Sequence, residues 1–319
     1  MEQQAIEDYS DETRHVLLGI AGVTVEDVTD LNGFENFVYG TDDHVIRVSH
    51  ESHRSEAQLL AELEFVSALA GRGAAVAAPV PLPDGQWLQR HGAFHVCRFE
   101  RARGHRPAGF EARLVQQWGR CIGEFHRISA ALDLKLERDD WLSDENHQFE
   151  KRIPPDQQEM HASAASTLAA LKGLPQTADV FGLIHSDAHW GNFVVAGDRL
   201  TFFDFDDSLY CWFGYDLATI LLGAMLQPWV PETVAAETRA VADFLDAFLA
   251  GYSEVAVVDG LMLEHMPLLI RLREFSLYAV IHAHANVGNN PFAQRFMRGR
   301  RERLERNQPF VELDFTRWA

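Results

Sequence analysis

The stretch His185-Ser186-Asp187-Ala188-His189-Trp190-Gly191-Asn192-Phe193-Val194-Val195-Ala196-Gly197-Asp198-Arg199-Leu200-Thr201-Phe202-Phe203-Asp204 decides how this chain is read. Asp187, Asn192 and Asp204 fall within eighteen residues, among apolar runs (180–184, 193–196 and 200–203) short enough to be buried strands. Gly197-Asp198 between the last two runs is a hairpin signal. Such a hairpin is expected to return Asp204 beside Asn192, so that a carboxylate and an amide oxygen share one hard cation with Asp187 close by.

Single Asp and Asn residues commonly turn or cap backbone, so the order and spacing of the three carry the reading. A second reading takes His185, Asp187 and His189 as alternating zinc ligands. That spacing faces one side only in an extended segment, and Gly191-Asn192 argues for a curled loop.

Phe203-Asp204-Phe205-Asp206 and Tyr215-Asp216-Leu217-Ala218 follow in order. Together with the opening stretch they resemble the signature of the aminoglycoside phosphotransferase and choline kinase superfamily: His-Gly-Asp-x-His-x-x-Asn, a hydrophobic-Asp-aromatic-acid tetrad and a closing Asp-Leu-Ala. The resemblance implies Asp187 as the catalytic aspartate, Asn192 and Asp204 as magnesium ligands, ATP as the donor, and Asp216 as an anchor at the start of the next helix. Ser186 stands where the family usually has Gly. The fold implied is a two-lobed, protein-kinase-like α+β fold, with a β-rich nucleotide-binding lobe at 1–99, a hinge at 100–104 and a mainly helical catalytic and acceptor-binding lobe at 105–319.

Composition narrows the classes. The chain has 319 residues, 47% of them hydrophobic, enough for a full core in one large or two modest domains. It shows no run of eighteen apolar residues and no charged-then-apolar leader, so a cytoplasmic protein is expected. Cys97, Cys121 and Cys211 lack close pairing and read as reduced thiols. A net charge of −19 argues against a nucleic-acid or anionic-membrane partner, and fits either a cationic small molecule or simple solvation. The basic residues of 295–306 are interleaved with Glu302 and Glu305, as on a solvated helix face.

From the N-terminus, a helix at 5–18 is expected to lead into a strand at 23–25. The following loop carries Gly33 and Asn36; it reads either as a hairpin turn or as a backbone cradle for phosphates, and the family has a comparable loop here. Arg47, on a strand at 44–48, is the natural phosphate contact, a position where many kinases use Lys. The helix at 52–70, with Leu59, Leu60, Leu63, Val66 and Leu69 in a stripe, supplies its expected partner: Glu62 by resemblance, with Glu56 and Glu64 as substitutes. Strands around Asp84-Gly85 and at 93–99 run into the hinge, where backbone at Glu100 and Ala102 is expected to serve adenine.

The helical part begins with a helix at 111–130 ending near His126, passes a weakly patterned stretch at 141–158 and a helix at 161–171, and after Asp216 continues as helices at 217–226, 231–252, about 259–285 and 291–306. His282 and His284, two apart on a helix, point roughly 200° apart and cannot easily share a metal. Asp206, Asp207, Trp212 and His282 are the expected acceptor-side residues. The expected activity is ATP- and magnesium-dependent phosphorylation of a small-molecule hydroxyl of aminoglycoside, choline or ethanolamine, homoserine or amino-sugar type. A stress-response protein Ser/Thr kinase and a pseudokinase are the alternatives; neither acceptor identity nor oligomeric state is legible.

Overall fold

A computed structural model describes residues 3–133, 135–227, 230, 234–284 and 291–319. The chain divides into two compact units that are not a single cut of the sequence. The first contains Met1–His105, Asp133–Arg138 and Val194–Asp206; the second contains Arg106–Leu132, Asp139–Phe193 and Asp207–Ala319.

The first unit is built on an antiparallel sheet. Its strands run in the order Thr29–Asp30, Phe37–Gly40, His44–His50, Phe94–Glu100 and Pro79–Val80, with Gln89–His91 also on Phe94–Glu100. Ile46, Val48, Phe94 and Val96 of this sheet form one core with Leu17 and Leu18 of the helix Asp11–Ile20. Fully burying side chains of this size contributes about 1.5–3 kcal/mol each. Ser10 caps that helix by accepting from the Thr13 N–H at 3.1 Å.

The strand expected at 23–25 is not formed. Val25–Asp27 is a 3₁₀ turn, because the Asp27 carboxylate accepts from both the Thr24 N–H (2.8 Å) and its hydroxyl (2.9 Å) and closes the backbone locally. The helix Glu56–Gly71 starts at a Ser55/Gln58 capping box and buries Leu59, Leu63, Val66 and Leu69. The expected hairpin is present as Phe193–Ala196 and Arg199–Phe202, turning at Gly197 with φ of 61°. Phe202 exchanges backbone hydrogen bonds with Ala75 and Ala77, each 2.8 Å, which fixes the hairpin in this unit.

The second unit is mainly helical. Its helices Ala112–Ala130 and Val234–Tyr252 meet backbone to backbone: a Cβ on Gly119 would strike the Phe248 carbonyl, and one on Gly251 would strike the Gln116 carbonyl. Trp118 fills the adjacent space against Phe193 and Phe244, with ring centroids 4.8 and 5.9 Å away. The strand Phe181–Ile184 pairs antiparallel with Leu209–Trp212, a strand that the sequence reading did not foresee. The expected helix at about 259–285 is two helices, Gly260–Glu264 and Met266–His284, and that at 291–306 is likewise split, into Pro291–Met297 and Arg300–Glu305, around the left-handed Gly299. The ends expected at 231 and 285 lie outside the described residues. Among the described residues no helix is long and apolar enough to cross a membrane.

Candidate active site

The strand Phe181–Ile184 delivers the chain to a turn held by one carboxylate. Asp216, in the first turn of the helix Phe213–Met225 and 0% exposed, accepts from the backbone N–H groups of His185 (3.2 Å) and Ser186 (2.7 Å). The His126 ring lies 3.1 Å from the same carboxylate through Nε2, bonds Tyr252 through Nδ1 at 3.0 Å and stacks on Phe213. A buried carboxylate needs such partners, so Asp216 is the anchor expected of it. The anchor bends the chain sharply, and Ser186 sits at φ of 68°.

Asp187, the next residue, is partly buried and richly contacted. Asn192 Nδ2 donates to its backbone carbonyl (2.9 Å) and to Oδ2 (3.1 Å), and Arg273 Nη2 donates to Oδ1 at 2.6 Å. Burial would raise the Asp187 pKa, but His189, Arg273 and His185 outweigh it and hold the carboxyl below the ordinary range, hence ionised. With Nδ2 committed, the Asn192 amide turns Oδ1 the other way as an oxygen donor, the type a hard divalent cation takes. The zinc reading does not fit this turn: Ser186 and the 3₁₀ turn Trp190–Asn192 curl the segment, and Gly191 donates its N–H to His189 Nδ1 at 2.8 Å.

In the first unit, Arg47 and Glu62 form a buried two-point ion pair at 2.8 and 2.6 Å. Burial alone would lower the Arg47 pKa, but Glu62 raises it well above its ordinary value. Gly33 has no room for a side chain, because a Cβ would meet the Asn36 carbonyl and Val38. Asn36 is buried and donates through Nδ2 to Asp206 at 3.0 Å. Asp204 is exposed, with φ of 65°. Glu100 closes its strand by donating its N–H to the Ala78 carbonyl at 2.8 Å, while neither backbone group of Ala102 bonds another backbone group among the described residues.

Two of the expected acceptor-side residues, Asp206 and Trp212, are buried. Asp206 is 4% exposed and turned into the first unit, where His53 Nε2 bonds it at 2.6 Å alongside Asn36 and its carbonyl accepts from Arg138. Its pKa is held well below the usual carboxylate range, His53 outweighing the burial that would raise it. Trp212 is 4% exposed, with its indole N–H on the Pro175 carbonyl (2.7 Å) and its ring against Trp141 and Phe181, so it packs the unit's interior. Asp207 is close enough to act on Arg273 electrostatically. His282 lies on the same helix as Arg273, but nine residues on is about 13 Å along the axis and half a turn around, away from Asp187. A residue given no role from the sequence is Arg273; its only signal is a charge in the short Arg271-Leu272-Arg273-Glu274 stretch of an otherwise largely apolar helix.

The family description that matches residues 27–261 is the phosphotransferase enzyme family. The chain belongs to this family. It is 28% identical to the amicoumacin kinase of Bacillus subtilis (strain 168), over 92% of each chain. A solved amicoumacin kinase, hAmiN, in complex with AMP-PNP, Ca2+ and Ami, superposes with a TM-score of 0.92 at 25% identity over the whole of both chains. A microcompartment-associated aminopropanol kinase shares the fold, with a TM-score of 0.73 at 20% identity over 93% of this chain and 97% of that one. The fold is therefore the protein-kinase-like α+β fold. The enzyme is an ATP-dependent small-molecule kinase that uses a divalent metal, and these relatives favour that reading over a protein kinase.

Proposed function

We propose that the enzyme transfers the γ-phosphoryl group of ATP to a hydroxyl of a small amine-bearing acceptor in the cytoplasm. Asp187 receives and orients the hydroxyl; Asn192 through Oδ1 and Asp204 through its exposed carboxylate hold the divalent ion. When bound, that ion supplies charge neutralisation to the phosphates. Arg47, steadied by Glu62, and the loop of Gly33 and Asn36 take the phosphates, and backbone at Glu100 and Ala102 takes adenine. In this reading 1–99 is the nucleotide-binding portion, 100–104 the hinge and 105–319 the catalytic and acceptor-binding portion.

The observation that carries the proposal is the Asp187 carboxylate, ionised and held by Asn192 and Arg273. An amine-bearing acceptor agrees with the net charge of −19, and the named relatives supply the first compounds to try. The test is ADP release from magnesium-ATP with amicoumacin, aminopropanol, aminoglycosides, choline and homoserine. One acceptor is expected to raise release well above the rate with water; no release with any of them, together with no ATP binding by calorimetry, would sink the reading.

A further inference from the structure

The two oxygens of Asp187 are unequally occupied. Because the Gly191 N–H donates to His189 Nδ1, the ring hydrogen available to Asp187 is the one on Nε2, which faces Asp187 Oδ2 at 3.4 Å. Asn192 Nδ2 donates to the same oxygen at 3.1 Å. Oδ1 receives Arg273 Nη2 alone among the described residues, at 2.6 Å. An ionised carboxylate has about four lone-pair positions, so the one left for a substrate hydroxyl is on Oδ1, beside the guanidinium.

Behind Arg273 stands a hydrogen-bonded chain whose polarity is fixed. His147 Nδ1 lies 2.6 Å from the Trp141 carbonyl, which can only accept, so Nδ1 carries the proton. Burial lowers the His147 pKa to about 4, which keeps the ring neutral and makes Nε2 an acceptor. The Tyr215 hydroxyl therefore donates to Nε2 at 2.9 Å, and Tyr215 is close enough to Arg273 for its oxygen to act on the guanidinium electrostatically. His147 and Tyr215 are both buried, and Arg273 is 15% exposed. The guanidinium is thus held by Asp187 at one end and flanked by the Tyr215 dipole behind it.

We propose that Arg273 is a positioning residue for phosphoryl transfer. By filling one lone pair of Oδ1 it sets the plane of the Asp187 carboxylate and turns the remaining lone pair of that oxygen toward the acceptor hydroxyl. As the acceptor oxygen bonds the γ-phosphorus and the bond to the ADP oxygen breaks, the hydroxyl proton passes to Oδ1. The inference rests on Asp187 as the residue that receives the hydroxyl.

The experiment measures ADP release from magnesium-ATP with water as the acceptor, for wild type, Arg273→Ala, Arg273→Lys, Tyr215→Phe and Asp187→Asn. Arg273→Ala is expected to lower kcat about tenfold or more with KM for ATP changed less than about twofold. Added ethylguanidinium should restore part of the loss, and Arg273→Lys should fall between the two. If Arg273→Ala does not fold, Tyr215→Phe, which removes one hydroxyl from the chain behind Arg273, should lower kcat several-fold by the same split. A folded Arg273→Ala with wild-type kcat, a loss that neither ethylguanidinium nor Lys relieves, or a Tyr215→Phe with wild-type kcat where Ala does not fold, overturns the proposal. Asp187→Asn separates the two levels: if it keeps turnover, the role of Asp187 fails, whereas lost turnover there with an unaffected Arg273→Ala removes Arg273 alone.

Discussion

Arg47 and Glu62, fifteen residues apart, meet in a parallel two-point pair, Nη1 to Oε1 at 2.8 Å and Nη2 to Oε2 at 2.6 Å, sealed from solvent. Glu56, one of the two substitutes the sequence left open, is 60% exposed, and Glu64 is exposed as well. Removing one partner of a buried pair strands the other's charge, so Glu62→Leu should destabilise the protein by about 3–5 kcal/mol. Adding Arg47→Met should recover much of that stability. Thermal melts of the single and double variants check this; equal melting points would mean that the pair carries no buried-charge penalty.

Asp187→Asn keeps the shape of the side chain and removes its charge. Turnover should fall by about 10²–10⁴, the usual contribution of a positioned proton acceptor, while ATP affinity changes by less than about 1 kcal/mol. Calorimetry with ATP and ADP release on the same preparation give both numbers, and lost affinity with retained turnover at saturation would reverse the assignment.

Asp204→Asn should behave differently, because it is expected to weaken magnesium-dependent nucleotide binding as well as rate. A loss of about 10²-fold or more in turnover is expected, since metal charge stabilisation contributes several kcal/mol. Titrating magnesium at fixed ATP measures the shift; an unchanged magnesium requirement would take Asp204 out of the metal site.

Ser186 adopts φ of 68°, a left-handed conformation that penalises a Cβ. Ser186→Gly should therefore raise stability by about 0.5–1 kcal/mol, roughly 1–3 °C in Tm. A lower Tm would show that the serine side chain contributes more in its buried setting than the strain removes.

His147 titrates at about 4 in the folded protein because of burial, against about 6.5 when unfolded. The unfolded chain then binds the extra proton first as pH falls. Stability from this group is complete above about pH 6.5 and is lost progressively down to about pH 4, by up to about 3 kcal/mol. An imidazole titration followed by NMR should give a midpoint near 4, and a midpoint near 6.5 would contradict the buried neutral ring.

What could be read in the sequence was local. The hairpin 193–202 and the turn from His185 to Asn192 follow from spacing, Gly197 and short apolar runs, and both are close to where those signals placed them; the Asp216 anchor followed from the family resemblance alone. The strand Leu209–Trp212 was hidden because Leu, Tyr, Cys and Trp are all buried or half-buried, so no alternation marks it. The strand read at 23–25 yielded to a side-chain cap, since Thr24 and Asp27 outcompete ladder pairing. Arg273 stands 86 residues from Asp187, and no periodicity within its helix reports a contact at that separation.

The chain from the Trp141 carbonyl through His147 and Tyr215 to Asp187 has a consequence for proton traffic. Its link to Asp187 is Arg273, a group that does not give up a proton in proteins, so the chain is an insulator and not a wire. A proton arriving on Asp187 is therefore not relayed inward through Arg273. The neighbour that reaches solvent is His189, 36% exposed and 3.4 Å from the other carboxylate oxygen, so recovery of the base after each turnover runs on the solvent side.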